Sequence, residues 1–189
     1  MIEILLGRLL LGIGCALCFV DIAAAQETPV WADVDCAQSL LVAPSGLKCR
    51  STQIYSGSAS QISGAGGKGQ RRQWASFGVV NGSKIYVHCL DEVAAGSSAE
   101  AGPLDQSIRN ISPYAKRANN FSEQKALNDA NYETFTSEAG ENCVAARKLG
   151  PVRKRGFKWI VHASKCAPVG KQLSEGEIGQ FIGQIGFRD

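Results

Sequence analysis

Two histidines, His88 and His162, are the only imidazoles among 189 residues, and both sit in the same short context. Ser83-Lys84-Ile85-Tyr86-Val87-His88 and Phe157-Lys158-Trp159-Ile160-Val161-His162 share Lys-x-x-Val-His, each after a turn signal. An imidazole titrates near neutral pH. A pair of them beside a lysine can therefore supply base, acid and charge stabilisation to phosphodiester cleavage. On this reading His88, His162 and Lys158, with Lys84 as a further nearby cation, would serve a small secreted hydrolase, specifically a nuclease. The plainer reading makes each histidine a half-exposed strand residue with a local hydrogen bond. Distance discriminates the two, because imidazoles that flank one reacting group lie within roughly 6–8 Å of each other.

Other reactive residues give less. Cys89 could be a nucleophile with histidine as its base, but it shares a strand face with Ile85 and Val87, an apolar setting that disfavours a thiolate. Gly64-Ala65-Gly66-Gly67-Lys68-Gly69 matches G-x-G-x-x-G in form only. A Ser/Gly run precedes it and a strand-like stretch follows, whereas a dinucleotide site needs a strand before and a helix after. Two histidines far apart in sequence make a zinc site unlike any standard spacing. No metal and no cofactor is expected.

The strongest surface feature is basic. Between Asn142 and Ser174 there are eight Lys/Arg and no Asp/Glu. Arg147, Lys148, Arg153, Lys154, Arg155 and Lys158 cluster around a Gly150–Gly156 turn, where side chains would splay into water. Such a tip fits an anionic envelope component or an acidic protein surface, and it also discourages edge-to-edge strand pairing. Aromatic residues that could stack on bases are sparse nearby, so specific nucleic-acid readout is not expected.

The elements that must position these residues begin after a leader. Arg8, the apolar run Leu9–Val20 and Ala23-Ala24-Ala25 read as a signal peptide over residues 1–25, too short in its apolar core to span a bilayer. No later stretch is long and apolar enough to cross a membrane, so a periplasmic or secreted single domain over residues 26–189 is expected. Without Arg8, Glu3 and Asp21 it carries 19 basic and 15 acidic residues, a net charge of +4. Five of the seven cysteines survive processing, and an oxidising compartment favours disulfides over thiols. Sequential pairing gives Cys36–Cys49 and Cys143–Cys166, each worth about 3–4 kcal/mol in the chain-entropy model, with Cys89 free. The rival pairing is Cys49–Cys89 with Cys36 free.

Along the chain, Asp33 or Asp35 can cap a short helix over Cys36–Leu41, and Leu47–Tyr55 reads as a strand. Residues 56–70 are rich in Gly and Ser and are expected to form a mobile loop. Arg72–Val80 and Ser83–Val93 make a hairpin about Asn81-Gly82, the strongest short hairpin signal. Asp105–Thr136 is polar and suggests two short helices, with Ser112 and Ser122 as caps. Cys143 and Cys166 end a second hairpin, although Ser137–Leu149 also carries helix signals. Ser174-Glu175-Gly176-Glu177 is a capping box, followed by Ile178, Phe181, Ile182 and Ile185 at helical spacing. The expected fold is therefore α+β: a small, mainly antiparallel sheet of about four to five strands, with a C-terminal amphipathic helix packed on one face and disulfides stapling it. The expected role is a non-enzymatic interaction module with the basic tip as its contact, and the nuclease is the alternative.

Overall fold

The computed structural model describes residues 30–56, 69–93 and 98–188. The leader, most of the expected loop at 56–70 and the Gly64–Lys68 stretch lie outside the described residues. In chain order the strands and helices are β1 (Ala32–Val34), β2 (Leu41–Val42), β3 (Lys48–Ser56), β4 (Gly69–Val80) and β5 (Ser83–Glu92), then α1 (Leu104–Ile111). There follow β6 (Lys125–Leu127), β7 (Ala130–Thr136), β8 (Asn142–Leu149), β9 (Val152–Arg153), β10 (Gly156–Phe157), β11 (Trp159–Cys166), α2 (Glu175–Gly183) and β12 (Gly186–Phe187).

These make one eight-stranded sheet in the order β1-β3-β4-β5-β11-β8-β7-β6, with every neighbouring pair antiparallel. The expected fold class is corrected accordingly. Among the described residues the protein is mostly β, its sheet has eight strands instead of four or five, and its α-helices are two short pieces of eight and nine residues. Two sequence readings caused the difference. The polar region Asp105–Thr136 holds one helix, α1, and then the β6–β7 hairpin. Ser112 closes that helix at its C-terminal end, its N–H donating to Ile108 O, and Ser122 lies outside any helix. The hairpin turns on Asn128-Asp129, with Asn128 at φ 54°. Asparagine tolerates that left-handed conformation through its short polar side chain. A pattern search for apolar alternation passes over such a turn.

The sheet is two meanders joined at their last strands. Asn81 (φ 51°) and Gly82 (φ 76°) form the tight turn between β4 and β5, which sets Trp74 opposite Cys89 and Ala75 opposite His88. β5 then lies beside β11, so the two stretches that share Lys-x-x-Val-His are neighbours. Both faces are covered, as the apolar residues on each side of β5 and β11 require. On one face Val87, Cys89, Val144, Ala146, Val161 and Ala163 pack with Ile178, Phe181 and Ile182 of α2. The Ser174 and Glu177 side chains cap that helix reciprocally, and the β2–β12 pair fixes the chain beyond it. On the other face Leu104 and Ile108 of α1 pack with Phe135, Ala145, Cys143 and Cys166.

Two disulfides tie this sheet together. Cys36 is bonded to Cys49, and Cys143 is bonded to Cys166 directly opposite it on β8 and β11. Cys89 is a buried free thiol. At the far end of the β8–β11 hairpin the chain forms the small β9–β10 ribbon rather than a plain turn. Ala99 and Phe157 exchange two backbone hydrogen bonds of 2.9 Å there, anchoring the ribbon to the segment before α1. Among the described residues no helix is long and apolar enough to cross a membrane, and the disulfides fit an oxidising compartment.

Candidate functional site

The register of the central strands places His88 of β5 and His162 of β11 directly opposite each other. Directly opposed residues have Cβ atoms about 4.5–5.5 Å apart and point to the same face. The row extends in both directions: Ala75 and Arg50 beyond His88, Arg147 and Asn131 beyond His162. This is the face that carries α1. A polar ladder therefore crosses the middle of the sheet, between a row that runs Thr52-Gln73-Leu90-Ile160 and one that runs Phe77-Tyr86-Ser164-Ala145.

A cavity of about 450 Å³ opens over the two histidines. Its floor is His88, His162 and Ile160, with Gln73 and Leu90 beside them. Trp31, half-buried just before β1, forms one wall, its ring 6.2 Å from the His88 ring and tilted 62° to it. Ser107, Asn110 and Ile111 enter from α1, as i, i+3, i+4 spacing on one helix face dictates. Tyr86, Arg71 and Glu100 complete the lining.

The histidines are buried, His88 to 7% and His162 to 6% exposure. His88 Nε2 donates to Gln73 Oε1 at 3.2 Å; it therefore carries its proton on Nε2 and presents Nδ1 as an acceptor. His88 Nδ1 and both ring nitrogens of His162 are buried and have no hydrogen-bonding partner among the described residues. Burial lowers the pKa of His88 to about 4. Burial, then the neighbouring His88 and the Arg147 guanidinium, lower that of His162 to about 3. Both rings are neutral at physiological pH; His162 has one donor and one acceptor unmatched, whereas His88, its N–H taken by Gln73, has one acceptor. Leaving such a group buried and unpaired costs about 1–3 kcal/mol.

The cations around this floor are mostly committed. Arg147 is buried, donates to Gly102 O, and lies in the field of Glu133; burial raises the Glu133 pKa, Asp105 raises it further, and Arg147 lowers it. Arg71 is paired with Glu92 at 2.5 Å. Lys84, expected near the histidines, is paired with Glu141 at 2.7 Å and stands four residues from His88, about 13 Å along the strand. Lys158 is not part of the cavity lining; its backbone bonds Pro151 and Glu92.

The six basic residues do not form one patch. Arg147 and Lys148 are neighbours on a strand and point to opposite faces. Arg147 belongs to the buried ladder, and Lys148 reaches Asp129 at 3.0 Å. Arg153 is partly buried and donates to Glu92 O at 3.1 Å. Lys154 and Arg155 are the two exposed members of the set. Cys89 lies on the face away from the histidines, fully buried, its pKa raised well above the ordinary thiol value by burial and then by Asp91. It is therefore no nucleophile for them. Among the described residues no group of three or more His, Cys, Asp and Glu side chains is placed to hold a metal ion.

Sequence reasoning missed Trp31, Gln73, Asn110 and the other walls of the cavity. Only Gln73 left a trace: the Asn81-Gly82 turn sets the β4–β5 register and brings it beside His88. Trp31 and α1 arrive through long-range packing that no local pattern reports. The chain matches no protein-family model, and no curated protein or solved structure is significantly similar to it.

Proposed function

We propose that this chain is an exported, non-enzymatic binding module that takes a small, uncharged polar ligand into the cavity over His88 and His162. The observation that carries the reading is His162: a buried imidazole on a cavity floor with neither nitrogen partnered among the described residues. A ligand with its own donors and acceptors offsets that desolvation, and the apolar Leu90, Ile111 and Ile160 side chains of the lining limit competing water. The leader-like N-terminus and the two disulfides support a periplasmic or secreted setting.

The direct opposition of the histidines keeps the hydrolase reading geometrically open, but the chemistry weighs against it. Phosphodiester cleavage by a histidine pair needs one imidazolium to protonate the leaving group and one neutral base. Here both rings have depressed pKa values and are neutral at pH 7. Lys158 is outside the cavity, and Arg71 is held by Glu92.

Imidazole ¹⁵N–¹H NMR of the oxidised protein tests the reading against a panel of uncharged polyols, amides, nucleobases and sugars. Binding at the cavity moves the His88 and His162 ring signals saturably. If no compound moves them, the binding site is misplaced. RNA cleavage that disappears in the His88→Gln/His162→Gln double variant would establish the hydrolase instead.

A further inference from the structure

We infer that the ligand is a saccharide, one pyranose ring stacked on Trp31 with its hydroxyls on the histidine floor. This rests on the cavity being a binding site and goes further by naming what fits it. Three features of the lining select the class.

The first is the kind of polar group presented. A sugar hydroxyl donates and accepts at the same oxygen, so it is best met by side chains that also do both. Neutral histidine, glutamine and asparagine are such groups. His88 offers Nδ1 as an acceptor, His162 offers one donor and one acceptor, and Gln73 and Asn110 add amides at the wall and rim. The second is charge. Arg71 is neutralised by Glu92, and Arg147 is directed at Gly102 O. Among the described residues no cation stands unopposed in the lining for a phosphate or carboxylate, and Glu100 at the mouth repels anions. The third is the pairing of one aromatic wall with a polar floor. Trp31 is half-buried, its ring edge toward His88 rather than stacked on it, which leaves an indole surface to the cavity. The C–H face of a pyranose packs on an aromatic ring while its equatorial hydroxyls point sideways into hydrogen bonds. A nucleobase would share the Trp31 contact. Its ring atoms are fixed donors or acceptors, however, and make less use of a floor on which His162 can both donate and accept.

The volume, about 450 Å³, accommodates one or two sugar rings. Exported glycans are chemically available to a disulfide-bonded domain, so the setting and the site agree.

The experiment titrates the full oxidised protein with glucose, galactose, N-acetylglucosamine and their β-1,4-linked disaccharides. The Trp31 indole N–H and the His162 ring are followed by NMR, with tryptophan fluorescence as a second readout. At least one sugar should give a saturable shift of both signals, with a disaccharide binding more tightly than its monosaccharide. Trp31→Ala should weaken that binding about tenfold or more. The Trp31 side chain is only partly buried at the sheet edge, so the variant should keep the wild-type fold. His162→Phe should abolish the Trp31 indole shift, and His162→Gln should retain part of it through its amide. Shifts produced by adenine or uracil and by no sugar would overturn the saccharide assignment and leave the cavity as a binding site. Silence from every compound would overturn both.

Discussion

Acid destabilisation offers the sharpest check on the histidine pair. An unfolded histidine titrates near 6.5, whereas His88 and His162 titrate at about 4 and about 3 in the folded chain. Both shifts are downward, so above pH 6.5 neither state binds extra protons and stability is at its plateau. Below it the unfolded chain takes up protons that the folded chain refuses, and stability falls until the folded pKa values are reached. Between pH 7 and pH 5 each histidine removes nearly 2 kcal/mol, and the pair about 4 kcal/mol, from a typical total of 5–15 kcal/mol. With a urea m-value of about 2 kcal/mol/M, that is a drop of about 2 M in the unfolding midpoint. Tryptophan fluorescence in urea, at constant ionic strength and without reductant, reads it directly. Glu133 acts in the opposite direction, because its raised pKa makes the folded state bind protons first; the variant series controls for it. His88→Gln or His162→Gln alone should halve the pH dependence, and the double variant should nearly remove it. A wild-type midpoint equal at the two pH values would refute the reasoning, as would a double variant that loses as much as the parent.

Two structural predictions follow from the same geometry. Replacing Cys143 and Cys166 together by Ser opens a loop closed across 23 residues and should cost about 3 kcal/mol in urea unfolding; a change under about 1 kcal/mol would mean that strand pairing alone holds β8 to β11. Gly156 sits at φ +152°, and a Cβ there would run into the Ala99 carbonyl oxygen that Phe157 N–H bonds. Gly156→Ala should therefore cost about 1–3 kcal/mol and release the β9–β10 ribbon, seen as faster tryptic cleavage after Arg155. Unchanged proteolysis would show that the ribbon tolerates the shift.

Much of the covalent and local frame was legible in the residues. The Asn81-Gly82 turn set the β4–β5 register because a type I′ two-residue hairpin needs positive φ at both positions, which Asn and Gly supply. The capping box at Ser174 and Glu177, and the apolar positions after it, marked α2 because those cues act within one or two turns of chain. Oddness in the cysteine count pointed to one free thiol, and sequential pairing left Cys89 as that one. The β6–β7 hairpin was missed because its residues are largely polar; pairing of β7 with β8, and of β6 with β7, rather than apolar alternation, makes them strands.

The functional centre divides along the same line. Sequence singled out His88 and His162 as rare groups in matching strands, since residue type and the two-residue repeat of a strand are written locally. It misplaced Arg147 on an exposed tip, because which face of a strand is buried depends on what packs over it. Only the pairing of β5 with β11, between segments some seventy residues apart, put the two rings side by side. Only the packing of α1 and Trp31 above them made a cavity and removed the water that would have kept them ionisable. Local chemistry chose the residues, and long-range burial decided their charge.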